Sequence, residues 1–130
     1  ALLQEQLGGG NGELKAAMQY MSQSFRIKDP KIKDLFLDIA AEELGHLEIV
    51  GAMVYQLTKG MCENDLKKGG FDAYFTDHTL GVYPQSAAGH PFTTAYIGVK
   101  GDPVTDLHED LAAEAARMQK QTVCLYNRSS

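Results

Sequence analysis

The sequence predicts an all-α fold, a helix bundle with three long helices present and a long crossover between the second and the third. Three observations lead there. Apolar residues recur at steps of three and four in three separate stretches. Two Asp-Pro pairs, Asp29-Pro30 and Asp102-Pro103, each set an N-cap residue before a proline at the first helical position, where the missing N–H costs nothing. Between Met61 and Gly101 the periodicity vanishes, which leaves a connection of a length unusual in compact domains.

The elements follow in order. Ala1–Leu7 reads as a short helical piece before the cluster Gly8-Gly9-Gly10-Asn11-Gly12. Glu13 to about Ile27 is the first long helix, with Ala17, Met18, Met21 and Phe25 on its apolar side. The second starts at the Asp29 cap, carries Leu35, Ile39, Val50, Met53 and Leu57, and stops at Lys59-Gly60. Its length is about 30 residues, or roughly 45 Å. The segment 61–101 holds Gly69-Gly70, Tyr83-Pro84 and His90-Pro91 without a helical stripe. After Pro103, Leu107, Leu111, Ala115, Met118 and Leu125 mark the third long helix.

Composition bounds the function. The 130 residues, taken as 1–130, support one domain with a single core. Seventeen acidic against twelve basic residues give a net charge of −5 and no basic stripe, which excludes a nucleic-acid partner. The longest apolar run, around Ile49–Tyr55, is too short to span a bilayer, so no membrane partner is expected. No charged-then-apolar leader opens the chain, and its start at Ala1 reads as processing or a cut end. Cys62 and Cys124 fit no CxxC spacing and read as reduced thiols, giving a cytoplasmic expectation.

Chemistry enters where polar residues interrupt the stripes. On the second helix the positions 35, 39, 43, 46, 50, 53 and 57 form one face, and two of them are Glu43 and His46. At 100° per residue these two lie ~60° apart. Glu114 falls on the third helix's stripe of 107, 111, 114, 118 and 125, and Glu13 shares a face with Ala17 and Tyr20. An antiparallel first and second helix puts Glu13 and Glu43 both about 21 Å from the same bundle end, and Glu114 lies about 18 Å in from its own cap. A parallel second and third helix, which the long crossover permits, brings all three glutamates to one level.

Alone, each glutamate reads as a carboxylate with a local partner, and His46 as a hydrogen-bonded core histidine. Together they read differently. Three buried carboxylates without a cation repel each other and suffer desolvation costs of several kcal/mol each. Two divalent ions remove both problems, and an oxygen-rich donor set with one imidazole suits manganese or iron better than structural zinc. Helix bundles build such centres from single glutamates and Glu-x-x-His pairs.

The stretches Gly9-Gly10-Asn11-Gly12-Glu13-Leu14, Glu42-Glu43-Leu44-Gly45-His46-Leu47-Glu48, and Gly101-Asp102-Pro103 leading to Ala112-Ala113-Glu114-Ala115 resemble the manganese catalases, and most closely their spore-coat branch. The likeness runs from Leu2 to about Ala116. It implies a ferritin-like four-helix-bundle fold, with Glu13, Glu43, His46 and Glu114 as ligands of two manganese ions. Glu43 is implied as the bridging carboxylate, and Glu43 and His46 as the catalytic pair. The implied reaction is disproportionation of hydrogen peroxide to water and dioxygen, in a homo-oligomer of the cytoplasm or spore coat. Glu42 and Glu48 point away from Glu43's face and read as solvated charges.

The family continues into a fourth helix that supplies a second histidine, whereas this chain stops at Ser130 and no Glu-x-x-His follows Glu114. The domain is therefore expected to be incomplete at its C-terminus, with an exposed apolar groove along Leu111, Met118 and Leu125. Of the remaining histidines, His78 and His90 lie in the crossover and His108 is about 120° around the helix from Glu114. Two other functions stay open: a structural spore-coat subunit without turnover, and a di-iron oxidase on the same scaffold.

Overall fold

The computed structural model describes residues 1–71, 73–74 and 81–126, with side chains as far as Gln119. It is helical, with no strand among the described residues and a single isolated bridge between Gln85 and Pro91. Helix α1 spans Leu2–Gly8, α2 Glu13–Ser24, α3 Pro30–Thr58, α4 Glu63–Lys68 and α5 Pro103–Tyr126, with a 3-10 turn at Thr94–Tyr96.

Both Asp-Pro signals start helices as their chemistry requires. The Asp29 side chain accepts from Lys31 N at 2.8 Å and Ile32 N at 3.1 Å, with Pro30 in the first turn. Asp102 Oδ2 accepts from Thr105 N at 3.0 Å and from its hydroxyl at 2.7 Å. Helix α2 ends at Ser24, short of the expected Ile27, where the Ser24 hydroxyl turns back to Met21 O at 2.6 Å. The crossover contains the short helix α4, which the missing periodicity concealed.

Side-chain pairs fix the helix directions. Tyr20 packs on Phe36 and Glu13 faces Glu43 through a shared partner, so α2 and α3 are antiparallel. Gln19 and Gln23 meet Asp110 while Glu13 meets Arg117, so α2 and α5 are also antiparallel. Helices α3 and α5 are therefore parallel, which the long crossover makes possible.

Two apolar clusters flank the centre: Tyr20, Ile27, Phe36 and Ala40 at one end of α3, and Val54, Leu66, Phe71 and Tyr74 at the other. The buried stripe of α3 is thus Phe36, Ala40, Glu43, Val50 and Val54. It is rotated by one residue from the expected stripe at most positions, and Leu35, Met53 and Leu57 are exposed. The reason lies in α2, whose Tyr20 ring packs edge-on against Phe36, not Leu35. Phe25, expected on α2's apolar side, is exposed as well.

Helix α5 departs further. Its face toward α2 is polar, with Asp106, Asp110 and Arg117 buried, while Leu107, Leu111 and Met118 lie outside. Leu111 is 58% exposed and Met118 68%, which matches two of the three positions of the expected apolar groove. The third, Leu125, and the thiol of Cys124 fall outside the described side chains. Cys62 is free and exposed. Among the described residues no helix is long and apolar enough to cross a membrane.

Candidate metal centre

Glu13 opens α2 and is almost fully buried. The preceding glycine makes this possible: a Cβ on Gly12 would lie 2.5 Å from the Gln6 carbonyl, so only glycine lets the chain turn this close to α1. The same turn brings the Gln6 amide to Glu13 Oε1, to which it donates at 2.8 Å. Glu43 sits mid-way along α3, and His46 follows one turn later.

The donor atoms converge. His46 Nδ1 is 3.6 Å from Glu43 Oε1 and 3.8 Å from Glu13 Oε2, and one ligand atom from each residue lies within 4.8 Å of the others. That is the spacing at which two carboxylates and an imidazole can share one cation. His46 is 54% exposed, so the centre opens to the surface on this side, and among the described residues its second ring nitrogen has no hydrogen-bond partner. Glu114 does not belong to that three-residue group. It is tied to it through Arg117, whose Nη1 donates to Glu13 Oε2 at 2.8 Å and Glu43 Oε2 at 2.9 Å while Nη2 pairs with Glu114 Oε1. One guanidinium therefore touches all three glutamates.

Electrostatics follow from this packing. Burial pushes the Glu13 carboxyl up, and its hydrogen bond with Glu43 pushes it further, outweighing Gln6 and Arg117. Burial also works to raise Glu43, but hydrogen bonds from Glu13 and Arg117 hold it below the usual carboxylate value. Burial opposes the charge on Arg117, yet Glu114 and Glu43 more than offset it and raise that group above its ordinary value. Beside the centre, Lys15, Gln19, Tyr20, Asp110, Glu114 and Arg117 line a cleft with room for about one water-sized molecule. Burial lowers Lys15 and raises Asp110 there, and Asp110 Oδ2 is buried without a partner.

Sequence reasoning missed Arg117, Gln6, Lys15 and Asp110. Arg117 carried a readable signal: it stands three residues after Glu114, the spacing that separates His46 from Glu43. A search for imidazole at that offset passed over the guanidinium. His90 and His108 are exposed and take no part in the cluster, and His78 lies outside the described residues.

A bundle holding glutamates and a Glu-x-x-His pair on facing helices defines a ferritin-like carboxylate–histidine protein. Comparison with known proteins gives the family. The model of the manganese containing catalases matches residues 1–129, and the chain belongs to that family. It is 46% identical over 110 residues to Protein CotJC of Bacillus subtilis, covering 85% of this chain and 58% of that protein. It is 47% identical over 113 residues to a probable manganese catalase of Clostridium acetobutylicum, covering 87% of this chain and 50% of that one. The crystal structure of wild-type KatB, a manganese catalase from Anabaena, superposes with a TM-score of 0.81 at 39% identity, over 92% of this chain and 53% of that chain. The chain therefore spans about half the length of these relatives.

Proposed function

We propose that this chain is the metal-binding part of a catalase that disproportionates hydrogen peroxide to water and dioxygen at two manganese ions. The convergence of Glu13, Glu43 and His46 carries this reading. The donor set fits: two buried carboxylates that repel each other, plus an imidazole, are stabilised by a divalent cation and destabilised without one. Glu13, Glu43 and His46 would hold one ion, and Glu43 and Glu114 would contribute to a second. Glu43 is suited to bridge, because Oε1 faces His46 while Oε2 faces the side shared with Arg117 and Glu114.

When bound, a manganese pair supplies the two-electron change that lets peroxide serve as oxidant in one half-reaction and reductant in the other. The chain's own residues do the rest. Gln6 fixes one oxygen of Glu13 and so leaves the other aimed at His46 and Arg117. The exposed edge at His46 gives a small hydrophilic substrate its way in, and the buried helix faces keep bulk water from the remaining sides. Residues 1–130 belong to a single ferritin-like domain, in a homo-oligomer of the cytoplasm or a spore coat. The spore-coat assignment is supported by the 46% identity to CotJC, against 33% to the Bacillus subtilis manganese catalase.

One observation favours a second reading, a coat subunit without turnover: Arg117 already neutralises the carboxylates. Oxygen evolution from peroxide separates the two. The manganese-loaded protein is expected to evolve oxygen and Glu43→Ala to lose that rate by ~100-fold or more; equal rates would sink the enzymatic reading. Metal analysis of purified protein is expected to show manganese, and iron without manganese would support an oxidase in its place.

A further inference from the structure

Arg117 is the one feature of this centre that its chemistry as a metal site does not call for. The side chain is about nine-tenths buried, and its guanidinium joins three carboxylates from three helices. Two of those helices, α3 and α5, present Glu-x-x-X pairs of the same spacing, with His46 completing one and Arg117 the other. Imidazole leaves room for an ion; guanidinium is itself the ion.

Charge and geometry agree on the consequence. Glu43 divides its oxygens, with Oε1 toward His46 and Oε2 toward Arg117. On the His46 side, His46 Nδ1 and Glu43 Oε1 make no hydrogen bond to the guanidinium and only Glu13 Oε2 accepts from it, at 2.8 Å, whereas on the Glu114 side Glu43 Oε2 and Glu114 Oε1 both accept from its N–H groups. Three ionised carboxylates are neutralised in full by one divalent ion and one guanidinium. A second divalent ion beside a retained guanidinium would leave two positive charges in excess at close range, at an energetic cost that low-dielectric surroundings amplify.

We propose that Arg117 is a gate on metal loading: the chain takes one manganese ion at Glu13, Glu43 and His46 with Arg117 in place, and admits a second only when the Arg117 side chain withdraws from Glu43 and Glu114. This rests on the manganese reading above and adds an order of filling and the residue that enforces it. Full occupancy then depends on the Arg117 side chain leaving Glu43 and Glu114.

The test is a calorimetric titration of manganese(II) into chelator-treated protein, wild type against Arg117→Gln and Arg117→Lys, followed in parallel by electron paramagnetic resonance. Wild type and R117K are expected to bind the first equivalent tightly and the second at least ~10-fold more weakly. Their first equivalent should give the spectrum of isolated manganese. In R117Q the second equivalent should tighten by ~10-fold or more, and the spin-coupled spectrum of a manganese pair should appear at lower metal. Two equivalents of equal affinity in wild type, or an R117Q second step unchanged from wild type, would overturn the gate while leaving the manganese reading intact. No binding in any of the three would overturn both. A readout on wild type alone covers the case of R117Q failing to fold. Arg117 should resist phenylglyoxal through the first equivalent and react during the second, by peptide mass spectrometry; resistance throughout two-equivalent binding contradicts the proposal.

Discussion

Gln6 is a residue with no charge to advertise it, yet it sets the geometry of Glu13. Its amide occupies Oε1 at 2.8 Å, which leaves Oε2 for the interior of the centre. Gln6→Ala should cost about 1 kcal/mol of stability and weaken manganese binding by about ten-fold, read by thermal melts and titration. Asp110 makes a different prediction. Burial raises it, so its contribution to stability is complete below the ordinary 3.8 and is lost as pH rises through the raised value. Asp110→Asn keeps an oxygen for the Gln19 and Gln23 amides but cannot ionise. The variant's stability relative to wild type should therefore climb from acid toward neutral pH, as followed by circular dichroism melts at several pH values. A difference that stays flat with pH would show that Asp110 does not lose its proton across that range.

At the scale of the helix, caps were legible in the sequence and faces were not. Asp29 and Asp102 act within two or three residues of their own positions, so the start of α3 and of α5 could be read without knowing any neighbour. Asp29→Ala should lower stability by ~1 kcal/mol, visible as a lower melting temperature with the helix content otherwise retained. Faces depend on what lies opposite. Helix α3 carries two adjacent apolar stripes, and the choice of Phe36 over Leu35 was made by Tyr20 on another helix. Helix α5 is the stronger case, because its inward face is built from Asp106, Asp110 and Arg117, and hydrophobic periodicity selects the outward one. Asp106 is buried because it accepts the Lys100 and Gly101 backbone N–H groups at the turn into α5, a tertiary use no spacing rule reveals. Glu13, Glu43 and His46, which the structure brings together, stand out in the sequence in spite of this, since a charge inside any stripe is conspicuous. Arg117 was overlooked because cations at helix positions are ordinarily surface residues.

Across the whole molecule the outward faces of α3 and α5 carry large apolar side chains, among them Leu35, Leu44, Ile49, Met53, Leu111 and Met118. Apolar surface of that extent is seldom left in water by a stable monomer. The isolated chain is therefore expected to self-associate, with a mass by light scattering that grows with concentration; a monodisperse monomer stable to heating would contradict this. The site shares in the arrangement, since His46 lies on the same exposed side of α3.

A manganese centre at Glu13, Glu43, His46 and Glu114 would be visible by anomalous diffraction at the manganese edge from crystals of the metal-loaded protein. A strong anomalous peak is expected, bounded by Glu13, Glu43 and His46, and, at full loading, a second beside Glu43 and Glu114 with the Arg117 side chain moved away. Peaks confined to surface carboxylates, with Arg117 still joining the three glutamates, would contradict it.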